Sequence, residues 1–319
     1  MKPRILLEEF QPETLAWLRE RAEVVVVNPW QEPERWDREA PKVDAIISRK
    51  GRVTRAHIEQ SRGRLRIVAR TGVGVDVSRV DVEAAREHGV WVTNMPGSNA
   101  IAVAELALGQ MIALTRHSVA ADAAVKGHRW TESVRLVGSE LAGKTLGIVG
   151  MGNIGTRVAL RARAFEMALV VCDPYIPASH VTALGGRWVG LDELFRESDY
   201  VTLHCPLNNE TRHLIGERQL ALMKKTAFLV NLARGGIVDE GALLQCLTEK
   251  RIAGAALDVL ENEPARKDEP LLALGNVLFT PHIGGSTREA QSRGERGAAE
   301  EVIRVLQGEA PRNPVVHGR

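Results

Sequence analysis

Three polar residues stand just beyond short apolar runs in the second half of the chain. They are Arg234 in Asn231-Leu232-Ala233-Arg234-Gly235-Gly236, Glu263 in the stretch from Asp258 to Pro264, and His282 in the stretch from Thr280 to Thr287. The runs before them, beginning at Ala227, Gly254 and Val277, read as buried strands. Each residue has an ordinary reading on its own: a loop salt bridge, a solvated acidic loop, a structural histidine. Together they suit one reaction. Oxidising an alcohol needs a base for the hydroxyl proton as hydride leaves, and an imidazole suits this near neutral pH. A neighbouring carboxylate favours the charged imidazole. A guanidinium grips a carboxylate through two parallel hydrogen bonds and polarises a developing carbonyl. In a doubly wound sheet the strand ends are where such groups meet a ligand.

The stretch that must supply the hydride carrier is Lys144 to Asp173. The apolar run Thr145 to Val149 leads into Gly150-Met151-Gly152-Asn153-Ile154-Gly155. Ile154, Val158, Ala162 and Phe165 follow at helical spacing, and a second apolar run ends at Asp173. Gly150 permits the tight turn, Gly152 lets a pyrophosphate approach the backbone, and Gly155 lets helix and sheet pack closely. Free N–H groups at the helix start, those of Asn153 and Ile154 among them, then face the phosphates. Asp173 can accept from both ribose hydroxyls and would repel a 2′-phosphate, which favours NAD over NADP. The alternative is a glycine-rich turn with no ligand. The correct flanks and the terminal acid favour the dinucleotide.

Composition narrows the class. With 319 residues, two domains are expected, and 44% hydrophobic content supports sizeable cores. A net charge of +2, from 42 basic and 40 acidic residues, gives no reason to expect nucleic acid or an acidic membrane surface as partner. The cysteines Cys172, Cys205 and Cys246 lack metal spacing and read as core thiols in a reducing compartment. No metal is expected. The start MKPRILLEEF has no signal-peptide core, and no apolar run approaches the roughly 18 residues of a membrane span. A cytoplasmic protein is the expectation.

Before the glycine turn, apolar runs at Arg4 to Leu7, Val24 to Val27, Ala45 to Ile47, Ile67 to Ala69 and Val90 to Val92 alternate with helix-like segments near Arg55 to Ser61 and Ser78 to His88. This predicts a first α/β domain with a parallel sheet. Asn28 to Pro41 reads as a loop or an irregular helix. Thr71-Gly72-Val73-Gly74-Val75-Asp76 lacks a third glycine; it is a strand-end turn or a set of amides that hold an anion. The segment from Asn99 is apolar on several faces, which suits a core helix or a dimer-forming one. The more polar His117 to Leu141 is an arm or a connector. After Asp173, strands at Asp199 to Cys205 and the three runs above continue the second sheet. A long helix, Arg288 to Leu306, can return to the first domain. The end, Ala310 to Arg319, is polar and is expected to fray.

The stretches RTGVGVD, MPGSNAIAVAELAL, LAGKTLGIVGMGNIG, VNLARGGIVDE, GAALDVLENEP and TPHIGGST cover almost the whole chain. In that order they resemble the D-isomer-specific 2-hydroxyacid dehydrogenases, most closely the D-3-phosphoglycerate dehydrogenase branch. The resemblance implies two doubly wound domains, a Rossmann NAD-binding domain (98–285) inserted into a flavodoxin-like substrate domain (1–97 plus 286–319), with a cleft that closes on binding. It implies that Arg234 orients the substrate, His282 is the general acid/base and Glu263 is its paired acid. It places NAD against Gly150, Gly152, Asn153, Ile154, Gly155, Asp173, Cys205, Pro206, Ala233, Asp258, Gly284 and Gly285. A small 2-hydroxy or 2-keto acid would meet Arg49, the Val73 and Gly74 amides, Arg234 and His282.

A homodimer built on the helix from Asn99 and the arm after it is also implied. The first substrate expectation is 3-phosphoglycerate with 3-phosphohydroxypyruvate, followed by glyoxylate or hydroxypyruvate. Phosphoglycerate-type enzymes usually carry Arg-Ser after the strand corresponding to Ala45 to Ile47, whereas Ser48-Arg49-Lys50 stands here. No regulatory domain is expected after residue 319. A non-catalytic NAD(H)-sensing corepressor on the same fold would not need the Arg, Glu and His set. The formate branch carries Gln in place of Glu263, which disfavours formate; phosphonate oxidation stays open.

Overall fold

The computed structural model describes residues 2–74, 79–316 and 318. The chain divides into two compact units, Met1–Asn99 with Ser286–Arg319, and Ala100–Gly285. The first unit opens with β1 (Arg4–Leu7), α1 (Pro12–Arg21), β2 (Glu23–Val26), α2 (Pro33–Glu39), β3 (Ala45–Ser48), α3 (Arg55–Gln60), β4 (Ile67–Arg70), α4 (Val82–His88) and β5 (Trp91–Thr93). The second is built in one pass: α5 (Ala100–Thr115), α6 (Ser118–Lys126), β6 (Thr145–Val149), α7 (Asn153–Ala164), β7 (Ala168–Cys172), α8 (Ala178–Ala183) and β8 (Arg187–Trp188). It continues with α9 (Leu191–Glu197), β9 (Tyr200–Leu203), α10 (Glu217–Leu222), β10 (Phe228–Asn231), α11 (Glu240–Thr248), β11 (Gly254–Leu257) and β12 (Val277–Phe279). The chain then returns to the first unit as α12 (Arg288–Leu306) and β13 (Pro314–Val316).

The first sheet runs β13-β5-β4-β3-β1-β2. From β1 the order proceeds one way to β2 and the other way to β3. The crevice of such a sheet therefore opens at the carboxyl ends of β1 and β3. Ile5, Leu7, Ala45, Ile47 and Ala69 pack with α1 and with Ala298, Ala299 and Val302 of α12. The alternate residues Leu6, Ile46 and Val68 pack with Trp36, Ile58 and Ala84 on the other face. Burial on both faces is why these strands read as unbroken apolar runs.

Several details differ from the sequence reading. Val24, Val25 and Val26 are only half-buried, because β2 is the sheet edge. The stretch from Asn28 to Pro41 contains the regular helix α2, with Pro33 in its first turn. α4 begins at Val82, with the Asp81 carboxylate accepting from the Ala84 amide; Ser78 lies outside the described residues. The tail expected to fray carries β13, antiparallel to β5 with Val316 opposite Val92. Val316 is buried, and the Glu301 carboxylate accepts the Arg312 amide at 2.7 Å. A three-residue strand that begins with a proline carries too little periodicity to be announced by the sequence.

The second sheet is parallel throughout, in the order β12-β11-β10-β9-β6-β7-β8. Its order reverses between β6 and β9. The edge strand β8 and the helix α8 were not anticipated, their runs being short and exposed. One face packs Val149, Val201, Leu203 and Leu229 against Phe195, Leu220 and Leu243. The other packs Ile148, Val171 and Val230 against Val158 of α7 and Met111 of α5. α5 is apolar on several faces because it lies in this core. Burying each of Leu108 and Met111 contributes roughly 1.5–3 kcal/mol. α6 and the following turn are different: Val119, Val125, Trp130, Val134 and Val137 are all exposed.

Candidate active site

The glycine turn lies where the second sheet's order reverses. Gly150 has φ +91°, and a Cβ there would sit 2.7 Å from the Cys205 amide nitrogen. The β6 turn and the start of the loop after β9, which carries Cys205 and Pro206, are thus pressed together in a way only glycine allows. A Cβ on Gly155 would lie 2.2 Å from the Gly150 carbonyl oxygen, so α7 meets its own strand at backbone distance.

Gly152 is the opposite case: a Cβ there meets nothing within 4 Å. As N-cap of α7 it offers no side chain to the first-turn amides of Asn153 and its successors. Asp173 closes the unit. Its Oδ2 accepts from the Met151 amide at 2.7 Å and its Oδ1 from the Tyr175 amide at 2.9 Å. A carboxylate so held keeps lone pairs for a ribose diol. Open space at Gly152, an uncapped helix and an acid at the next strand end together fit a dinucleotide. Burial pushes the Cys205 thiol up to about 11 and Cys172 upward as well, so both flank the turn as neutral packing groups.

His282 is held by an unusual turn. Asp258, at 2% exposure, follows β11. Its carboxylate accepts from the Ile283 amide at 2.9 Å, the Gly284 amide at 2.8 Å and the Thr280 hydroxyl at 2.5 Å. Its carbonyl accepts from the His282 amide at 2.8 Å. His282 has φ +53°, a region costly for a residue with a side chain, and these four bonds hold it there. A Cβ on Gly284 would come within 3.0 Å of Asp258 Oδ2, and Gly285 follows it. Behind the turn, buried Gln110 of α5 donates to the Thr280 hydroxyl at 2.9 Å.

The imidazole Nδ1 donates to Glu263 Oε2 at 2.6 Å. Burial works to raise the Glu263 carboxyl. The His282 hydrogen bond and charge, the Leu260 amide and the Arg234 charge outweigh it, so the group sits below its ordinary value and is ionised. Arg234 follows β10 on a loop fixed by Asn231. The Asn231 side chain donates to the Arg234 carbonyl at 3.0 Å and accepts from the Ala233 amide at 3.0 Å. The half-buried guanidinium donates to the Ala233 carbonyl at 2.6 Å. The second unit therefore brings Glu263 against His282 and within electrostatic reach of Arg234. Sequence reasoning gave Gln110 and Asn231 no role: the Gln110 contact crosses between elements and leaves no local spacing to read, and the Asn231 contacts are those of an ordinary loop-closing amide.

The remaining sequence-predicted residues lie in the first unit. After β3, the amides of Arg49, Lys50 and Gly51 all donate to Glu8 Oε1, at 2.8, 2.6 and 2.7 Å. The Arg49 guanidinium lies 3.8 Å from the buried carboxylate of Glu295. Arg70 donates to the Ser48 hydroxyl and the Arg49 carbonyl. The loop after β4 carries Val73, whose carbonyl accepts from the Asn94 side chain, and Gly74. α12 approaches this loop closely: a Cβ on Gly294 would lie 2.2 Å from the Thr71 carbonyl oxygen. Val75 and Asp76 lie outside the described residues. Among the described residues no cluster of His, Cys, Asp or Glu could hold a metal, and no helix is long and apolar enough to cross a membrane.

Comparison with known proteins places the chain in a family. Residues 108–284 match the family model of the D-isomer specific 2-hydroxyacid dehydrogenase NAD binding domain. The D-3-phosphoglycerate dehydrogenase of Methanocaldococcus jannaschii is 47% identical over 274 residues, 85% of this chain; the chain spans only 51% of that protein. The hydroxypyruvate reductase of Thermotoga maritima is 42% identical over 91% of this chain and 93% of its own length. The crystal structure of the TT0316 protein from Thermus thermophilus superposes with a TM-score of 0.88 at 37% identity, covering 98% of this chain and all of that one.

Proposed function

We propose that this chain, which belongs to the D-isomer-specific 2-hydroxyacid dehydrogenase family, interconverts a D-2-hydroxy acid and its 2-keto acid with NAD. The observation that carries the reading is the 2.6 Å bond between His282 and an ionised Glu263, with Arg234 in electrostatic reach. In the reducing direction, protonated His282 gives its Nε2 proton to the oxygen of the 2-keto acid. Glu263 offsets the charge of the imidazolium before transfer, and Arg234 orients the carboxylate and polarises the carbonyl. In the oxidising direction neutral His282 takes the hydroxyl proton. The bound nicotinamide supplies or accepts the hydride.

Residues 100–285 serve as the dinucleotide-binding domain. Gly150, Gly152, Asn153, Ile154 and Gly155 hold the pyrophosphate, Asp173 the ribose, and Cys205, Pro206, Ala233, Asp258, Gly284 and Gly285 line the remainder. The other unit serves as the substrate domain, and its Val73 and Gly74 amides are assigned the carboxylate of the substrate. The exposed apolar residues Val119, Val125, Trp130, Val134 and Val137 support a homodimer built on this arm.

For the substrate, 3-phosphoglycerate with 3-phosphohydroxypyruvate is the pair the resemblance suggests first. A specific observation favours the second reading, hydroxypyruvate or glyoxylate. The three amides after β3 are occupied by Glu8, and Arg49 faces Glu295, which favours an unphosphorylated substrate at this loop. Initial rates with 3-phosphohydroxypyruvate, hydroxypyruvate, glyoxylate and pyruvate, each with NADH and NADPH, test both parts. Preference for the phosphorylated acid would restore the first reading, and turnover of none would remove the enzymatic one.

A further inference from the structure

We propose that Glu240 is a positioning residue for the acid/base pair, holding the backbone of the loop that carries Glu263; this rests on the dehydrogenase reading above. Residues Glu261 to Pro264 are exposed and belong to no helix or strand, yet Glu263 must meet His282 to within a hydrogen bond. Glu240 opens α11, and its Oε1 accepts from the Glu261 amide at 2.6 Å. A carboxylate on a backbone N–H is among the stronger hydrogen bonds available to a loop.

Two further contacts meet at the same place. Glu261 Oε1 pairs with His213 Nε2 at 3.0 Å. Gly235, adjacent to Arg234, lies so close that a Cβ on it would sit 2.0 Å from the Leu260 carbonyl carbon and 2.2 Å from the Glu261 nitrogen. Beyond that anchor the chain turns back, and Glu263 Oε1 accepts from the Leu260 amide at 3.3 Å. Leu260 to Glu263 is thus a short closed turn, fixed at Glu261 and presenting its last carboxylate to His282. Glu240 sits there at a cost: its burial and the charges of Glu269 and Glu261 push its own carboxyl upward. The hydrogen bond from the Glu261 amide, added to the Gly235 and His213 contacts, holds the loop in register with Arg234 and His282.

The test uses the full chain with NADH and its best 2-keto acid. Glu240→Ala frees the Glu261 amide, and a misplacement near 1 Å should lower kcat about 10- to 100-fold with the KM for NADH unchanged. Glu240→Gln keeps an acceptor oxygen in place and should restore kcat to within a few-fold. The downfield proton resonance of the His282–Glu263 bond should be present in wild type and Glu240→Gln and lost in Glu240→Ala. If Glu240→Ala does not fold, Glu240→Asp, shorter by one methylene, should give an intermediate loss of rate and a weakened resonance. Wild-type kcat in Glu240→Ala or Glu240→Asp, equal loss in Glu240→Ala and Glu240→Gln, or an intact resonance in Glu240→Ala would overturn the proposal. If wild type turns over no 2-keto acid, the enzymatic reading fails, while the resonance still decides the role of Glu240.

Discussion

His282 Nδ1 lies 2.6 Å from Glu263 Oε2. An ionised carboxylate can only accept, so Nδ1 carries the proton and Nε2 is left as the reactive nitrogen. Glu263→Gln removes the charge but keeps the shape. We predict a fall in kcat of about 100-fold or more. The same variant has a linkage signature. The Glu263 carboxyl lies below its ordinary 4.5 in the folded chain. Its stabilisation is therefore full above 4.5 and is lost as pH falls through the folded value. Melting temperatures of wild type and Glu263→Gln should converge on acidification; curves that stay parallel would contradict the pairing.

Asp173 is predicted to set cofactor choice. Asp173→Ala should weaken NADH binding and narrow the gap between NADH and NADPH. It should do so without unfolding, although the Met151 and Tyr175 amides lose their acceptor. Fluorescence titration of the two cofactors checks this. An unchanged preference would assign the choice to another residue.

Glu8 is predicted to matter for stability. At 6% exposure it satisfies the amides of Arg49, Lys50 and Gly51. Glu8→Ala leaves them without that acceptor, at a cost of about 3 kcal/mol. Denaturant unfolding should show a lowered midpoint; a loss under about 1 kcal/mol would mean that water replaces the carboxylate.

Legibility in the sequence followed the range of the contacts. The glycine turn, Asp173 and the stretch around His282 could be read because their logic is local: a strand, a fixed spacing, a polar residue at the strand end. Arg288–Leu306 was readable because its apolar residues repeat at helical spacing. Gln110 behind Thr280, Asn231 beneath Arg234 and Glu240 under the acid loop were not readable as functional. Gln110 and Glu240 each act on a distant segment through one hydrogen bond, and nothing near them in sequence marks the partner; Asn231 bonds its own loop, at Ala233 and Arg234, as any polar residue at a strand end can. β13 was missed for a related reason, its pairing with β5 being supplied by the sheet rather than by its own three residues. Arg49 shows the limit from the other side. Its place after β3 suggested a substrate contact; that its amide serves Glu8 and its guanidinium faces Glu295 could not be read from the sequence.

His204 gives a second pH prediction. Its Nε2 lies 2.9 Å from the Thr202 hydroxyl, and its Nδ1 is buried without a partner among the described residues. Burial pushes its pKa down from 6.5 to about 3. The unfolded chain therefore binds the extra proton between those values, and the folded chain does not. The stability that neutral His204 permits is full above 6.5 and declines as pH falls toward 3. His204→Gln should lose less melting temperature than wild type between pH 6.5 and acid. Identical slopes would contradict the assignment.

The most direct measurement is NADH oxidation with the preferred 2-keto acid by wild type and by His282→Asn, with NADH affinity determined alongside. Wild type should turn over. His282→Asn should retain NADH affinity while kcat falls about 10²- to 10⁴-fold, the usual worth of a positioned acid/base. A His282→Asn variant with wild-type kcat would show that the proton is handled elsewhere and would contradict the account.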